Sequence, residues 1–155
     1  MIEGFHFQNA YVCDDIEAGI ALLKARGHDR PVQIIDVNQP IKTPTRNVVI
    51  KSRICFIWTE NLQYELIQVL EDPIGIYANC VSNGGPLRFH HTCMRIAEWD
   101  AFRARVDRQD LPLAMERDGD DDALKFLYLD GRKVLGHYLE YTWMTDRRWN
   151  QIRAM

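Results

Sequence analysis

The chain has 155 residues, of which 46% are hydrophobic and 26% charged, and its formal net charge is -3. This charge gives none of the basic surface typical of proteins that bind nucleic acids or anionic membranes, and no apolar run approaches the roughly 20 residues that span a bilayer. The stretch MIEGFHFQNA lacks the basic and apolar regions of a signal peptide, so we expect a cytoplasmic protein. The four cysteines have no CxxC spacing, which predicts neither a disulfide framework nor a cysteine zinc site.

The first half of the chain predicts four strands and one helix. The strands are predicted at 5–13, 31–37, 48–59 and 62–70, and the helix at 14–28. Asp14 or Asp15 can cap this helix, because a carboxylate before the first apolar residue accepts from free backbone N–H groups. Residues 38–47 contain Pro40 and Pro44 and predict an extended loop.

The second half repeats the same order after a connection rich in glycine and proline. Strands are predicted at 88–96, 111–118, 124–130 and 135–143, and a helix at 98–109. The last two strands are expected to form a hairpin around Gly131. The run Asp120–Asp122 predicts a solvated turn, and a short terminal helix is expected after residue 144.

The repeated order predicts an α+β fold of two βαβββ modules that form a curved mixed sheet around a cavity. We expect one domain over residues 1–155. Its modules are predicted at about 4–72 and 87–144, with a connection at 73–86 and a tail at 145–155.

Side-chain alternation in the last predicted strand separates its polar residues from its apolar ones. Tyr138, Glu140 and Thr142 share one face, while the opposite face carries Leu139, Tyr141 and Trp143 and suits packing against a helix. Glu140 is therefore expected to point into the cavity. The matching strand of the first half places Glu65 in the corresponding position.

The first strands of the two halves add two more inward positions, Gln8 and His91. Together with Glu65 and Glu140 they offer oxygen donors and one imidazole, a set suited to Zn²⁺, Ni²⁺, Co²⁺, Mn²⁺ or Fe²⁺. Two buried carboxylates without a metal or a cationic partner would carry a heavy desolvation cost.

Several alternatives stay open at these positions. A register shift of two residues would replace Gln8 by His6 and give a set of two histidines and one carboxylate, which suits non-haem Fe²⁺. His90 competes with His91, although a packing or supporting role suits it better. Glu140 could instead form a salt bridge with an arginine, and Cys93 could supply a nucleophilic thiol.

Four stretches, FQNAYVCDDIEAGI, YELIQVL, FHHTCMRI and YLDGRKVLGHYLEY, together resemble the vicinal oxygen chelate superfamily. This superfamily includes glyoxalase I, bleomycin-resistance proteins, methylmalonyl-CoA epimerase and extradiol dioxygenases, and the resemblance covers about residues 5–144. It implies metal ligands on the first and last strands of each module. On this chain these ligands are Gln8, Glu65, His91 and Glu140, a set similar to one found in glyoxalase I enzymes.

The resemblance implies a metal-dependent isomerase or lyase for a small molecule with vicinal oxygens. The metal would stabilise an enediolate, Glu140 would move a proton, and Glu65 would act as the partner base. Glyoxalase I enzymes often carry an arginine at the position of Val12, so its absence argues against a glutathione substrate. Arg95 and Tyr138 are the predicted substrate-binding residues.

Two other functions remain as alternatives at this point. One is an extradiol-type Fe²⁺ ring-cleaving dioxygenase, and the other is a metal-free small-molecule binding protein of the bleomycin-resistance kind. One scaffold hosts all three functions, so the fold alone does not select among them. Many relatives dimerise, and a homodimer is expected here.

Overall fold

The structure is a computed structural model that describes residues 2–78, 80, 84–117 and 124–154. The strands of the first half are β1 (Phe5–Cys13), β2 (Ile34–Lys42), β3 (Asn47–Thr59) and β4 (Leu62–Glu71). Those of the second half are β5 (Arg88–Arg95), β6 (Leu113–Arg117), β7 (Leu124–Leu129) and β8 (Tyr138–Met144). The helices are α1 (Ile16–Lys24), α2 (Trp99–Val106), α3 (Arg132–Leu135) and α4 (Asp146–Arg153). None of these helices is long and apolar enough to cross a membrane.

The predicted duplication is confirmed, because each half runs strand, helix and three strands. The strands close into one sheet in the order β1-β4-β3-β2-β6-β7-β8-β5. The two first strands, β1 and β5, lie side by side and antiparallel, and each pairs in parallel with the last strand of its own module. The two modules therefore meet along β1 and β5 with equivalent pairings on either side.

Helix α2 packs on the outer face of the second module, as the alternation in β8 predicts. Phe102 is fully buried and its ring lies 4.6 Å from that of Tyr141, with Leu139 in the same apolar cluster. Helix α1 covers the first module in the same way, through Ile16 and Ile20. These clusters cover the outer face of the sheet, and its inner face lines a cavity.

The prediction of an extended loop at 38–47 is wrong. Strand β2 continues through Pro40 to Lys42, and β3 begins at Asn47, so only a short turn separates them. Within the described residues, the outer edge of β2 pairs with β6 through Lys42 and Glu116 alone. Because most of that edge has no strand partner among the described residues, a proline that lacks an N–H group costs β2 little.

The predicted hairpin around Gly131 is confirmed, because β7 and β8 pair antiparallel, but the connection between them is longer than a turn. The short helix α3 separates β7 from β8, and Gly136 follows it in the left-handed conformation, with φ at 82°. Strand β8 therefore begins at Tyr138 rather than at residue 135. The acidic run predicted as a turn, Asp120–Asp122, lies outside the described residues.

Phe102→Ala should lower the free energy of unfolding by about 3–5 kcal/mol, because it leaves a cavity where α2 meets β8. Urea denaturation measures this change. Val134→Ala is the control, because Val134 is 73% exposed and its truncation should change stability by less than about 0.5 kcal/mol. Equal effects of the two substitutions would contradict the assigned packing of α2.

Candidate metal centre

Three ionisable side chains from three strands meet at the wall of the cavity. His91 Nε2 lies 2.8 Å from a Glu140 carboxylate oxygen and 3.6 Å from one of Glu65. The candidate ligand atoms of all three residues lie within 4.8 Å of one another. His91 is fully buried and Glu65 is 9% exposed. Two carboxylates and an imidazole at this spacing match the donors of a divalent transition-metal site.

Strand pairing explains why these residues meet. On β1, Ala10 stands opposite Glu65 of β4 on one side and His91 of β5 on the other. Glu140 of β8 stands opposite Cys93, two residues after His91. Ala10 is fully buried and small, so it leaves room for the longer side chains beside it.

His90 fixes the orientation of the His91 ring. His90 Nε2 lies 3.1 Å from the Ile76 carbonyl oxygen, and the two histidine Nδ1 atoms are 2.8 Å apart. Burial, together with His91, lowers the pKa of His90 to about 3, so His90 is neutral. Its Nε2–H then donates to Ile76 and its Nδ1 accepts from the Nδ1–H of His91. This tautomer leaves a lone pair on His91 Nε2, directed at the two carboxylates, as a metal ligand requires.

Among the residues that the structure describes, no lysine or arginine pairs with either carboxylate. The His91 imidazole is the group that contacts both Glu65 and Glu140. Burial, followed by the charge of Glu140, raises the pKa of Glu65 well above its usual range. The salt bridge between Glu140 and an arginine, which the sequence left as an alternative, is therefore not formed among the described residues.

Gln8 lines the same cavity and is 5% exposed. Its Nε2 donates to Gln63 Oε1 over 2.6 Å, so its own amide oxygen remains available to a cation. On the antiparallel strands β1 and β5, Gln8 stands opposite Cys93 and Ala10 stands opposite His91. Gln8 therefore holds the position on β1 that His91 holds on β5. The structure thus places Gln8, Glu65 and Glu140 in the lining of one cavity, with His91 in contact with both carboxylates.

Three other predicted residues lie away from the cavity lining. Arg95 donates to Asp146 over 2.8 Å and its guanidinium stacks on Trp149. Tyr138 is buried with its ring against His90, 5.0 Å between centroids. His6 is exposed and contacts Asn9, because a bulge between His6 and Gln8 breaks the alternation that would put both on one face.

Cys93 lies at the cavity beside Glu140 and is 1% exposed. Burial, followed by the charge of Glu140, raises the pKa of the Cys93 thiol well above its usual range. A thiol held neutral in this way is a poor nucleophile. The geometry therefore gives no support to the nucleophilic role considered for Cys93.

The cavity has a volume of about 440 Å³, within the range of small-molecule sites. Its walls are mostly aliphatic and aromatic, and helix α4 forms part of them through Arg148, Gln151 and Ile152. The sequence analysis missed Gln63, which shares the inward face of β4 with Glu65, and alternation could have found it. It also missed Tyr77 and Arg148, which lie in the connection and the tail, where no strand pattern indicates an inward direction.

Comparisons with models of known protein families and with curated proteins find no match. Solved structures do match. A methylmalonyl-CoA epimerase from Streptomyces coelicolor superposes with a TM-score of 0.59 at 12% identity, covering 92% of this chain and 98% of that one. The epimerase from Mycobacterium tuberculosis gives 0.58 at 11% identity, with 97% and 96% covered. The chain has the vicinal oxygen chelate fold.

The likeness extends to a structure without an assigned activity. A hypothetical protein from Bacillus halodurans C-125 superposes with a TM-score of 0.57 at 13% identity, covering 91% of this chain and 94% of that one. At such identities the likeness concerns the fold, and the fold hosts several activities. The function of this chain therefore has to be argued from its own side chains.

Glu65→Gln should stabilise the metal-free protein, and increasingly so as the pH rises above 4.5, the ordinary value for a glutamate. In the wild type the unfolded chain releases this proton near pH 4.5 while the folded chain retains it, so stability falls as the pH rises towards the raised pKa. The glutamine side chain does not ionise, so the variant does not lose stability in this way. The loss in the wild type amounts to about 1.4 kcal/mol for each unit by which the pKa is raised. Urea denaturation with chelator across pH 4–8 measures the difference.

Glu116→Gln provides a matched control for this experiment. Glu116 is also buried, at 5% exposed, but Arg103 contacts it at 3.0 Å and Lys42 at 3.4 Å. Its replacement removes a paired charge and should destabilise the protein at neutral pH. A destabilised Glu65→Gln variant at neutral pH without metal would contradict the electrostatic description of the site.

Proposed function

We propose that this chain is a metal-dependent enzyme of the isomerase or lyase type, acting on a small molecule with vicinal oxygens. The observation that carries the proposal is the cluster of Glu65, His91 and Glu140 at a cavity wall, where Glu65 and His91 are buried and the Glu140 side chain is 12% exposed. The carboxylates have no lysine or arginine partner in the described residues. A cluster of this kind is costly to bury in an empty state, and a divalent cation would remove the cost.

The residues present fit such a cation. Glu65, His91 and Glu140 would hold Zn²⁺, Ni²⁺, Co²⁺, Mn²⁺ or Fe²⁺, with the Gln8 amide oxygen as the fourth protein ligand. When bound, the ion supplies Lewis-acid stabilisation to the oxyanion of an enediolate. The chain contributes the orientation of the ligands, through Gln63 on Gln8 and His90 on His91.

Glu140 is the residue that we assign to proton transfer, with Glu65 as the partner base. Both carboxylates line the cavity, and its apolar walls would keep water away from a proton that moves between Glu140 and the substrate. Burial, followed by the charge of Glu140, raises the pKa of Glu65 in the metal-free protein, which favours the protonated form of this carboxyl group there. Tyr128 has its hydroxyl 3.4 Å from His91 Nε2 and can orient a substrate oxygen nearby.

Two observations favour this function over the alternatives. The two-histidine set needed for the dioxygenase would require His6, whose side chain is exposed and contacts Asn9. A metal-free binding protein would have no need of two carboxylates at the cavity wall without a lysine or arginine partner in the described residues. The structural neighbours add support, because an epimerase is an isomerase, but their CoA substrates are not carried over to this chain.

We still predict that the protein is cytoplasmic and forms a homodimer. We also predict that each chain is one domain over residues 1–155, with modules at about 4–72 and 87–144. Arg95 and Tyr138 stay predictions as substrate-binding residues; Arg95 contacts Asp146 and Trp149, and the Tyr138 ring packs against His90.

Metal-loaded protein should exchange the hydroxymethyl hydrogens of hydroxyacetone for deuterium in D₂O. This ketone carries vicinal oxygens, and its exchange passes through an enediol. Glu140→Gln should slow the exchange by about 10²–10⁴-fold, the usual contribution of a positioned acid or base. Proton NMR measures the rate after reconstitution with each of the five metals, under anaerobic conditions for iron.

His6→Gln is the control, because it removes the alternative ligand from an exposed position and should leave the exchange rate unchanged. Wild-type protein treated with chelator should show only the solution rate. The proposal fails if no metal supports exchange, or if wild type and Glu140→Gln exchange at the same rate with metal bound.

A further inference from the structure

A second polar group lies in the cavity beside the candidate metal centre. Gln63 is fully buried, and its Oε1 accepts the hydrogen bond from Gln8. Its Nε2 has no hydrogen-bond partner among the described residues. A buried N–H group without a partner is costly, and in a cavity wall it marks a place where a ligand oxygen would be bound.

Arg148 supplies a positive charge to the same cavity. It projects from helix α4 into the lining, and its Nε is buried without a hydrogen-bond partner within the described part of the chain. Arg117, the other arginine of the lining, takes part in another interaction. Arg148 is therefore the arginine whose buried N–H is left for a ligand.

Helix α4 is held firmly enough to position this arginine. The Trp58 indole donates to the Ile152 carbonyl over 2.8 Å, and Trp149 packs against Phe7 with 4.9 Å between ring centroids. Trp58 stands opposite Gln63 in the pairing of β3 and β4. The packing of α4 thus anchors Arg148 to the same end of the sheet that carries Gln63.

The spacing along β4 sets the distance between Gln63 and the candidate metal centre. Gln63 precedes Glu65 by two residues on the same face, which corresponds to about 6.7 Å along a strand. A short carbon chain spans this distance. One end of a ligand would then lie at Glu65, His91 and Glu140, and the other would lie at Gln63.

The charges favour an anion at that second end. A divalent cation balances Glu65 and Glu140, so the charge of Arg148 remains for the ligand to balance. Between the two ends the walls are apolar. They include Ile54, Phe56, Ile67, Met115 and Phe126. A carboxylate accepts from guanidinium and amide N–H groups, and such charge-assisted hydrogen bonds are the strong ones.

We propose that Gln63 and Arg148 form a carboxylate-binding subsite, and that the substrate is a small acid with vicinal oxygens at one end and a carboxylate at the other. This inference rests on the proposed function, because it assigns the far end of the same substrate. The metal centre holds the vicinal oxygens, and Gln63 and Arg148 determine specificity for the charged group.

The mono-hydroxamate of glutaric acid and its methyl ester test the subsite. Both place vicinal oxygens at one end of a short chain, and they differ in the charge at the other end. Isothermal titration calorimetry on zinc-loaded protein should show the acid binding about 10–100-fold more tightly than the ester. Arg148→Gln should abolish this preference, and Gln63→Met should weaken it.

Arg147→Gln is the matched control, because Arg147 neighbours Arg148 on α4 and is exposed. It should keep the full preference for the acid. Equal binding of acid and ester, or a preference that survives Arg148→Gln, would overturn the subsite and leave the proposed function standing. Failure of both compounds to bind the zinc-loaded protein would overturn the subsite together with the proposed function.

Discussion

The burial of two carboxylates next to one imidazole is the constraint on which the rest of this structure depends. Glu65 and Glu140 lie against His91 at the wall of an apolar cavity, without a lysine or arginine partner in the described residues. Desolvation of unpaired carboxylates opposes folding, so the sheet and helices must hold them at a free-energy cost. Under the proposed function, a divalent cation would offset that cost and take these side chains as ligands.

The duplicated architecture makes this arrangement possible. Each module contributes its first and last strands to the cavity, and β1 and β5 lie next to each other where the modules meet. The contacts that orient the candidate ligands come from the same strands, through Gln63 on β4 and His90 on β5. The connection between the modules fixes His90 through the Ile76 carbonyl, and the terminal helix adds Arg148 to the cavity. The repeated parts thus supply and orient the candidate ligands, and the unrepeated parts support His90 and complete the cavity.

Much of the site could be predicted from the sequence, because alternation along strands is a local property. Parity in β8 and β4 placed Glu140 and Glu65 inward, and the repeat aligned Gln8 with His91. The same reasoning failed for His6, where a bulge shifts the alternation, and it did not indicate the contacts of Arg95 with Asp146 and Trp149.

The features that sequence reasoning missed depend on contacts between distant segments. Pro40 suggested a loop, but it is tolerated in β2 because most of that strand's outer edge has no partner in the described residues. The tautomer of His91 depends on Ile76, and the inward direction of Arg148 depends on how α4 packs on Trp58 and Phe7. No local pattern encodes these contacts.

Anomalous X-ray diffraction from crystals soaked with Zn²⁺ or Co²⁺ is the most direct test of the central claim. The account predicts one strong peak per chain at the cavity wall, about 2.0–2.2 Å from His91 Nε2 and from oxygens of Glu65 and Glu140. The Gln8 amide oxygen should complete the protein ligands. A crystal in which the metal binds elsewhere, at His6 or His137 for example, while these three side chains stay metal-free would contradict the account.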